Sequence, residues 1–169
     1  MTRRALITGG AGGIGLAAAS RLIADGVNVI TADIVPGADI TLDVMDTEAA
    51  IKAVEGIGQV DILINGAGLG DPPQDWLSLH GTVSMCQAVI PGMLDRGWGR
   101  IVNVASAAGA SKAAMIGFTR SLGEELSGAG VVVNAVVAAV TGEVAELIAW
   151  LTSDACGFSA GAVYDLGGC

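Results

Sequence analysis

Leu6-Ile7-Thr8-Gly9-Gly10-Ala11-Gly12-Gly13-Ile14-Gly15 joins a short β-prone run to a helix-compatible segment through a loop dominated by glycine. Glycines at such a junction let the chain turn sharply, let backbone N–H groups approach a pyrophosphate, and let the helix pack close to the sheet. The helix start adds unpaired donors and the positive end of its dipole. A bare flexible turn would need neither the strand before the loop nor the helix after it. Both are present in the residue pattern.

The second β-prone run, Val27-Asn28-Val29-Ile30-Thr31-Ala32-Asp33, ends in a carboxylate 18 residues beyond Gly15. That is close to the spacing of about 20 at which an acid reaches the adenosine ribose hydroxyls of a dinucleotide. A carboxylate there repels a 2′-phosphate, and neither Lys nor Arg lies in the loop or just after Asp33. The expected cofactor is NAD rather than NADP.

Further along, β-prone runs alternate with helical segments. Strands are predicted at Arg4–Thr8, Val27–Ala32, Asp39–Leu42, Val60–Asn65, Arg100–Ala105, Val131–Val137 and Ala162–Asp165. Helices are predicted at Gly13–Ala24, Thr47–Glu55, Gln74–Leu94, Ser111–Ser127 and Glu143–Thr152. Several strands are apolar on both faces, as in a parallel sheet covered by helices on each side. Alternation of this kind implies right-handed crossovers and a doubly wound α/β sheet. No linker, repeat or low-complexity tract interrupts the 169 residues, so one domain is expected.

Composition narrows the function. Acidic residues outnumber basic ones by 17 to 8, and no cluster of Lys and Arg exists to displace counterions from phosphates, which argues against a nucleic-acid partner. The three cysteines, Cys86, Cys156 and Cys169, fit neither a metal site nor a disulfide framework, so no metal is expected and a reducing compartment is. Arg3 and Arg4 precede too short an apolar run for a signal peptide. The uncharged stretch Trp76 to Leu94 is long enough for a bilayer, but His80, Gln87, Pro91 and two glycines argue for a buried helix instead. The expectation is a cytoplasmic protein with no membrane partner.

These residues together resemble the short-chain dehydrogenase/reductase family. Thr8-Gly9, Gly13, Ile14 and Gly15 match its TGxxxGxG loop, and Asn65-Gly66-Ala67-Gly68 looks like its NNAG motif with the second Asn replaced by Gly. Asp43-Val44 falls where the family contacts the adenine ring. Leu79-His80-Gly81-Thr82, Gly99-Arg100-Ile101-Val102-Asn103-Val104, Ala110-Ser111-Lys112 and Val133-Asn134-Ala135-Val136 follow in family order, and Gly161–Gly168 resembles its last strand and GG ending. The resemblance covers nearly the whole chain. It implies a Rossmann-type sheet of about seven strands in the order 3-2-1-4-5-6-7, and NAD held by Thr8, Gly9, Gly13, Ile14, Gly15, Asp33, Asp43, Val44, Asn65, Gly66, Ala67, Gly68 and Lys112.

The implied chemistry is hydride transfer between nicotinamide and a small-molecule alcohol or carbonyl substrate. In the family a tyrosine is the acid/base at the substrate oxygen, a lysine lowers its pKa and holds the nicotinamide ribose, and a serine binds the substrate. Ser106 matches the serine and Lys112 the lysine, while Ser78 replaces the family asparagine. The tyrosine position, four residues before Lys112, is Ala108, and only five residues separate Ser106 from Lys112. The sole tyrosine, Tyr164, reads as a packing side chain of the last strand, and the sole histidine, His80, stands at a variable position of its motif.

Where Pro-Gly normally follows the sixth strand the chain has Ala138-Ala139, and Thr141-Gly142 runs straight into the next helix without the substrate-covering segment. Three explanations stay open. The chain is a minimal scaffold that binds NAD(H) without turnover; Lys112, Ser106 or water replaces the acid; or a longer polypeptide carries mobile loops that this sequence omits. The resemblance also implies a homo-oligomer, dimer or tetramer, whose helices around Val83, Met85, Met115, Phe118 and Leu122 pair between copies. The same side chains serve ordinary packing against a sheet.

Overall fold

The computed structural model describes residues 2–68, 75–106, 110–138 and 142–166, with the backbone alone given for 75–78, 106 and 111. Among these residues, seven strands form one sheet: β1 (Arg4–Thr8), β2 (Asn28–Asp33), β3 (Ile40–Thr41), β4 (Ile62–Asn65), β5 (Gly99–Ser106), β6 (Val131–Ala138) and β7 (Val163–Leu166). The order across the sheet is β3-β2-β1-β4-β5-β6-β7, and every pairing is parallel. Five helices connect them: α1 (Gly13–Ala24), α2 (Thr47–Ile57), α3 (Asp75–Arg96), α4 (Ala110–Glu125) and α5 (Gly142–Leu151). A short 3-10 helix, Asp154–Cys156, follows α5.

Alternation along the central strands explains why helices cover both faces. Ala5, Ile7, Ile62, Ile64, Val102 and Val104 pack with Ala18 and Leu22 of α1 and with Val144 and Ile148 of α5. Their strand neighbours Leu6, Leu63 and Ile101 point the other way, onto Ala50 and Val54 of α2 and Met85, Val89 and Met93 of α3. All eight residues of β6 are buried. Met85 and Met115 are buried within this chain, while Phe118 and Leu122 are half-buried against the second cluster. Among the described residues no helix is long and apolar enough to cross a membrane.

Strand β3 is shorter than the sequence pattern suggests, two residues in place of the expected Asp39–Leu42. The Asp39 carboxylate explains this. Its Oδ2 accepts from the Thr31 backbone N–H at 2.8 Å and from the Thr31 hydroxyl at 2.7 Å, taking a donor on β2 that a longer ladder would use. These bonds, the backbone one first, hold the Asp39 carboxyl below its ordinary range.

A carboxylate whose pKa is depressed by folding contributes stability above its unfolded value of about 3.9, and loses it as pH falls through the lower folded value. Urea midpoints measured between about pH 5 and pH 2 should therefore fall less steeply for Asp39→Asn than for the parent chain. Equal slopes would reject this account.

Candidate functional site

In a parallel sheet the strands all end at one edge, and that is where the candidate residues gather. Thr8 closes β1, Asp33 closes β2, Asn65 closes β4 and Ser106 closes β5. Register ties them together: Thr8 pairs with Ala32 and with Asn65, Asn65 with Asn103, and Ser106 with Ala138 of β6. Ligands of open α/β sheets bind outside this carboxyl edge, at the point where strand order reverses. Here that point lies between β1 and β4.

The loop after β1 and the turn after β4 are locked to each other. The buried Thr8 hydroxyl accepts from the Gly66 N–H at 3.2 Å and the Ala67 N–H at 3.4 Å. Gly9 has φ +67°, and a Cβ on it would collide with the Gly66 carbonyl. A Cβ on Gly15 would strike the Gly9 carbonyl and come within 2.8 Å of the Gly10 Cα. These contacts are backbone on backbone, so no side chain can yield to relieve them. The cradle requires glycine at these two places.

The start of α1 is open to a ligand. Gly12 is its N-cap with no side-chain cap, and no acidic residue stands in the first turn. Asp33 sits beside it: Oδ2 accepts from the Ala11 N–H at 3.0 Å and Oδ1 from the Val35 N–H at 3.3 Å. The β2 carboxylate thus touches the glycine loop itself. A cradle of backbone amides with one carboxylate on its rim fits the pyrophosphate and ribose of a dinucleotide.

Asp43 and Val44 follow β3 on the same edge. Asp43 Oδ1 accepts from the Met45 N–H at 2.9 Å in a local turn. Val44 packs in the second core cluster, and a Cβ on Gly81 of α3 would lie 3.0 Å from the Val44 Cβ. Gly68 has φ +88° in the turn after β4.

Asn65 faces inward rather than toward the loop. Its Nδ2 donates to the Asn103 Oδ1 at 2.9 Å, and the Asn103 Nδ2 donates to the Thr119 hydroxyl at 2.9 Å, all three residues being buried. The Asn65 Oδ1 has no hydrogen-bond partner among the described residues. Cys86 lies 3.6 Å from the Asn65 Nδ2, and burial pushes its thiol up to about 12, so it is neither thiolate nor nucleophile near neutrality.

Lys112 stands in the first turn of α4 with its Nζ 2.9 Å from the Asp165 Oδ2 of β7. This brings Lys112 to the same edge and gives it a partner, Asp165, that the sequence reading missed. An acid near the end of the last strand was the available signal. The backbones of Ser106 and Ser78 lie at the end of β5 and within α3, and their side chains fall outside the description. Ala108, Ala139 and Thr141 lie outside the described residues. Tyr164 shares a hydrogen bond of 2.8 Å with Ser159, which precedes β7, and its ring meets Trp150 edge-on. Its hydroxyl is committed at the amino end of the strand, away from the carboxyl edge. His80 is exposed on α3.

Comparison with known proteins agrees with this architecture. The family model described as short chain dehydrogenase matches residues 34–146. The chain is 38% identical to a 2-dehydro-3-deoxy-L-rhamnonate dehydrogenase (NAD(+)) of Sphingomonas sp., over 81% of this chain and 71% of the relative. It is 31% identical to an acetoacetyl-CoA reductase of Cupriavidus necator, over 99% of this chain and 98% of the relative. That alignment runs over 241 positions against the 169 residues here, so the relative carries segments this chain lacks. A solved structure, the TT0495 protein of Thermus thermophilus, superposes with TM-score 0.83 over 98% of this chain and 97% of that one. At 24% identity its likeness is one of fold alone.

The glycine cradle yields a direct test. Gly15→Ala should destabilise the chain by about 1–3 kcal/mol, because the added methyl overpacks backbone that cannot move aside. Chemical denaturation measures this. An unchanged midpoint would mean that the Gly9–Gly15 contact yields to a methyl group.

Proposed function

Because the chain belongs to the short-chain dehydrogenase family, we propose that it is an NAD(H)-dependent oxidoreductase transferring hydride between nicotinamide and a secondary alcohol or ketone. The observation that supports NAD over NADP is the Asp33 carboxylate hydrogen-bonded to the Ala11 amide at 3.0 Å. A negative charge fixed on the rim of the phosphate cradle accepts hydrogen bonds from ribose hydroxyls and repels a 2′-phosphate. When bound, the cofactor supplies the carbon that accepts or gives the hydride.

The remaining roles belong to this chain's own residues. The pyrophosphate rests on the amides of Gly13, Ile14 and Gly15, with Thr8 and Gly9 fixing the loop against Gly66, Ala67 and Gly68. Asn65 braces the end of β4 from within. Asp43 and Val44 face the adenine side, and Lys112 serves the nicotinamide ribose while Asp165 holds its ammonium. Ser106 and Ser78 bind the substrate oxygen. A positioned acid/base group contributes typically 10²–10⁴-fold, and its loss sets the rate expected of a chain with Ala108 in the tyrosine position.

A second reading, an NAD(H)-binding protein without turnover, is favoured by one observation: Tyr164, the chain's sole tyrosine, is tied to Ser159 and Trp150 and leaves no phenol for the substrate oxygen. Calorimetry with NAD and NADH, together with absorbance at the NADH band over a panel of secondary alcohols and ketones, separates the two. Slow turnover supports the oxidoreductase. Binding without any turnover supports the second reading, and absence of binding rejects both.

Asp33→Asn should weaken NAD about 10–100-fold, the equivalent of losing a charged hydrogen bond of about 1.5–3 kcal/mol. The same change should narrow or reverse the preference over NADP. If the two affinities move together, Asp33 does not set the choice.

A further inference from the structure

At the amino end of the sheet, opposite the glycine cradle, the starts of β5 and β6 open on a cavity of about 500 Å³. Trp98, Arg100, Ser127, Gly130, Gly157 and Phe158 are among its lining, and no carboxylate is among the described lining residues. Arg100 is only 4% exposed. Its guanidinium has five N–H bonds to satisfy. Nε donates to the Ser153 carbonyl at 3.3 Å, and Nη1 donates to the carbonyls of Gly99 at 2.8 Å and Gly130 at 3.3 Å. Nη2 has no hydrogen-bond partner among the described residues. It faces Gly157, where a Cβ would lie 3.5 Å away.

All three acceptors are neutral, yet a buried cation is normally paired with an anion. Asp154 is the acid that acts on Arg100 through space, but its Oδ1 is already engaged by the Arg3 Nη2 at 2.6 Å and the Trp98 Nε1 at 3.2 Å. Both guanidinium groups lie against the Trp98 ring, with their carbons 3.7 Å and 4.5 Å from its centroid. Two cations therefore share one exposed carboxylate. Burial lowers the Arg100 pKa from its ordinary value, as expected of a cation short of counter-charge. On a chain of net charge −9 this is a local inversion of sign.

We propose that this cavity binds an oxyanion, the carboxylate or phosphate group of a small ligand, held by the two N–H bonds of the Arg100 Nη2. A guanidinium edge matches such a group in shape as well as in charge. Phe158, 82% exposed, offers its ring to the remainder of the ligand. The inference is independent of the nucleotide-binding proposal, since it concerns the other end of the sheet.

Thermal unfolding of the whole chain tests it with two probes, inorganic phosphate and acetate, each compared with chloride at equal ionic strength. The expected result is a saturable rise in Tm, roughly 3–6 °C at ten times Kd. A response to phosphate alone or to acetate alone identifies which oxyanion the site takes. Gly157→Glu should abolish the response, because it tethers a carboxylate beside Nη2; Gly157 has φ −64°, which any residue adopts. Ser127→Glu, on an exposed residue of the lining, should weaken phosphate several-fold even if the first variant fails to fold. Equal stabilisation of the parent and both variants would place the anion elsewhere, the start of α1 included, and overturn the proposal. So would the absence of any rise with either anion.

Discussion

The close crossing of two backbone segments, Gly9 over Gly66, is the constraint on which the carboxyl edge depends. Gly9 is in a left-handed conformation against a carbonyl, and Gly15 packs its helix down onto Gly9 in turn. With the loop pressed this flat, the first amides of α1 stand at the mouth of the cleft between β1 and β4. The Thr8 hydroxyl, accepting from Gly66 and Ala67, ties the turn after β4 to the same point. The cradle is thus chiefly a product of main-chain packing, with the buried Thr8 hydroxyl as its interior tie and Asp33 at its rim.

The rim was legible in the sequence because its signals are local. A glycine run between a strand and a helix, and an acid at the end of the next strand, are properties of neighbouring residues. The bounds of β1 and α1 fall where the sequence pattern put them, and the strand order follows the family likeness. One departure arises where a side chain competes with the ladder. Asp39 takes the Thr31 amide and shortens β3, and β2 continues through Asp33 to pair with Thr41.

What could not be read was long-range pairing. Lys112 and Asp165 are 53 residues apart and meet only because α4 leads from β5 and β7 ends beside β6. Arg3, Trp98, Arg100 and Asp154 converge from three parts of the chain at the opposite edge. Nothing in their spacing marks them as neighbours. Tyr164 is the contrary case, since its place in the last strand already argued for packing and its hydrogen bond to Ser159 agrees with that.

The buried amides of Asn65 and Asn103 also bear on how the strands find one another. Strands apolar on both faces, such as β4, gain little discrimination from the hydrophobic pattern, because a slide by one residue exchanges one greasy face for another. Asn65 and Asn103 are register partners, and their amides meet only in that alignment. A slipped pairing would strand two amides in a dry interior, at a cost of about 1–3 kcal/mol for each group left unmatched. The pair therefore favours the native register over sheets that are equally well packed but offset.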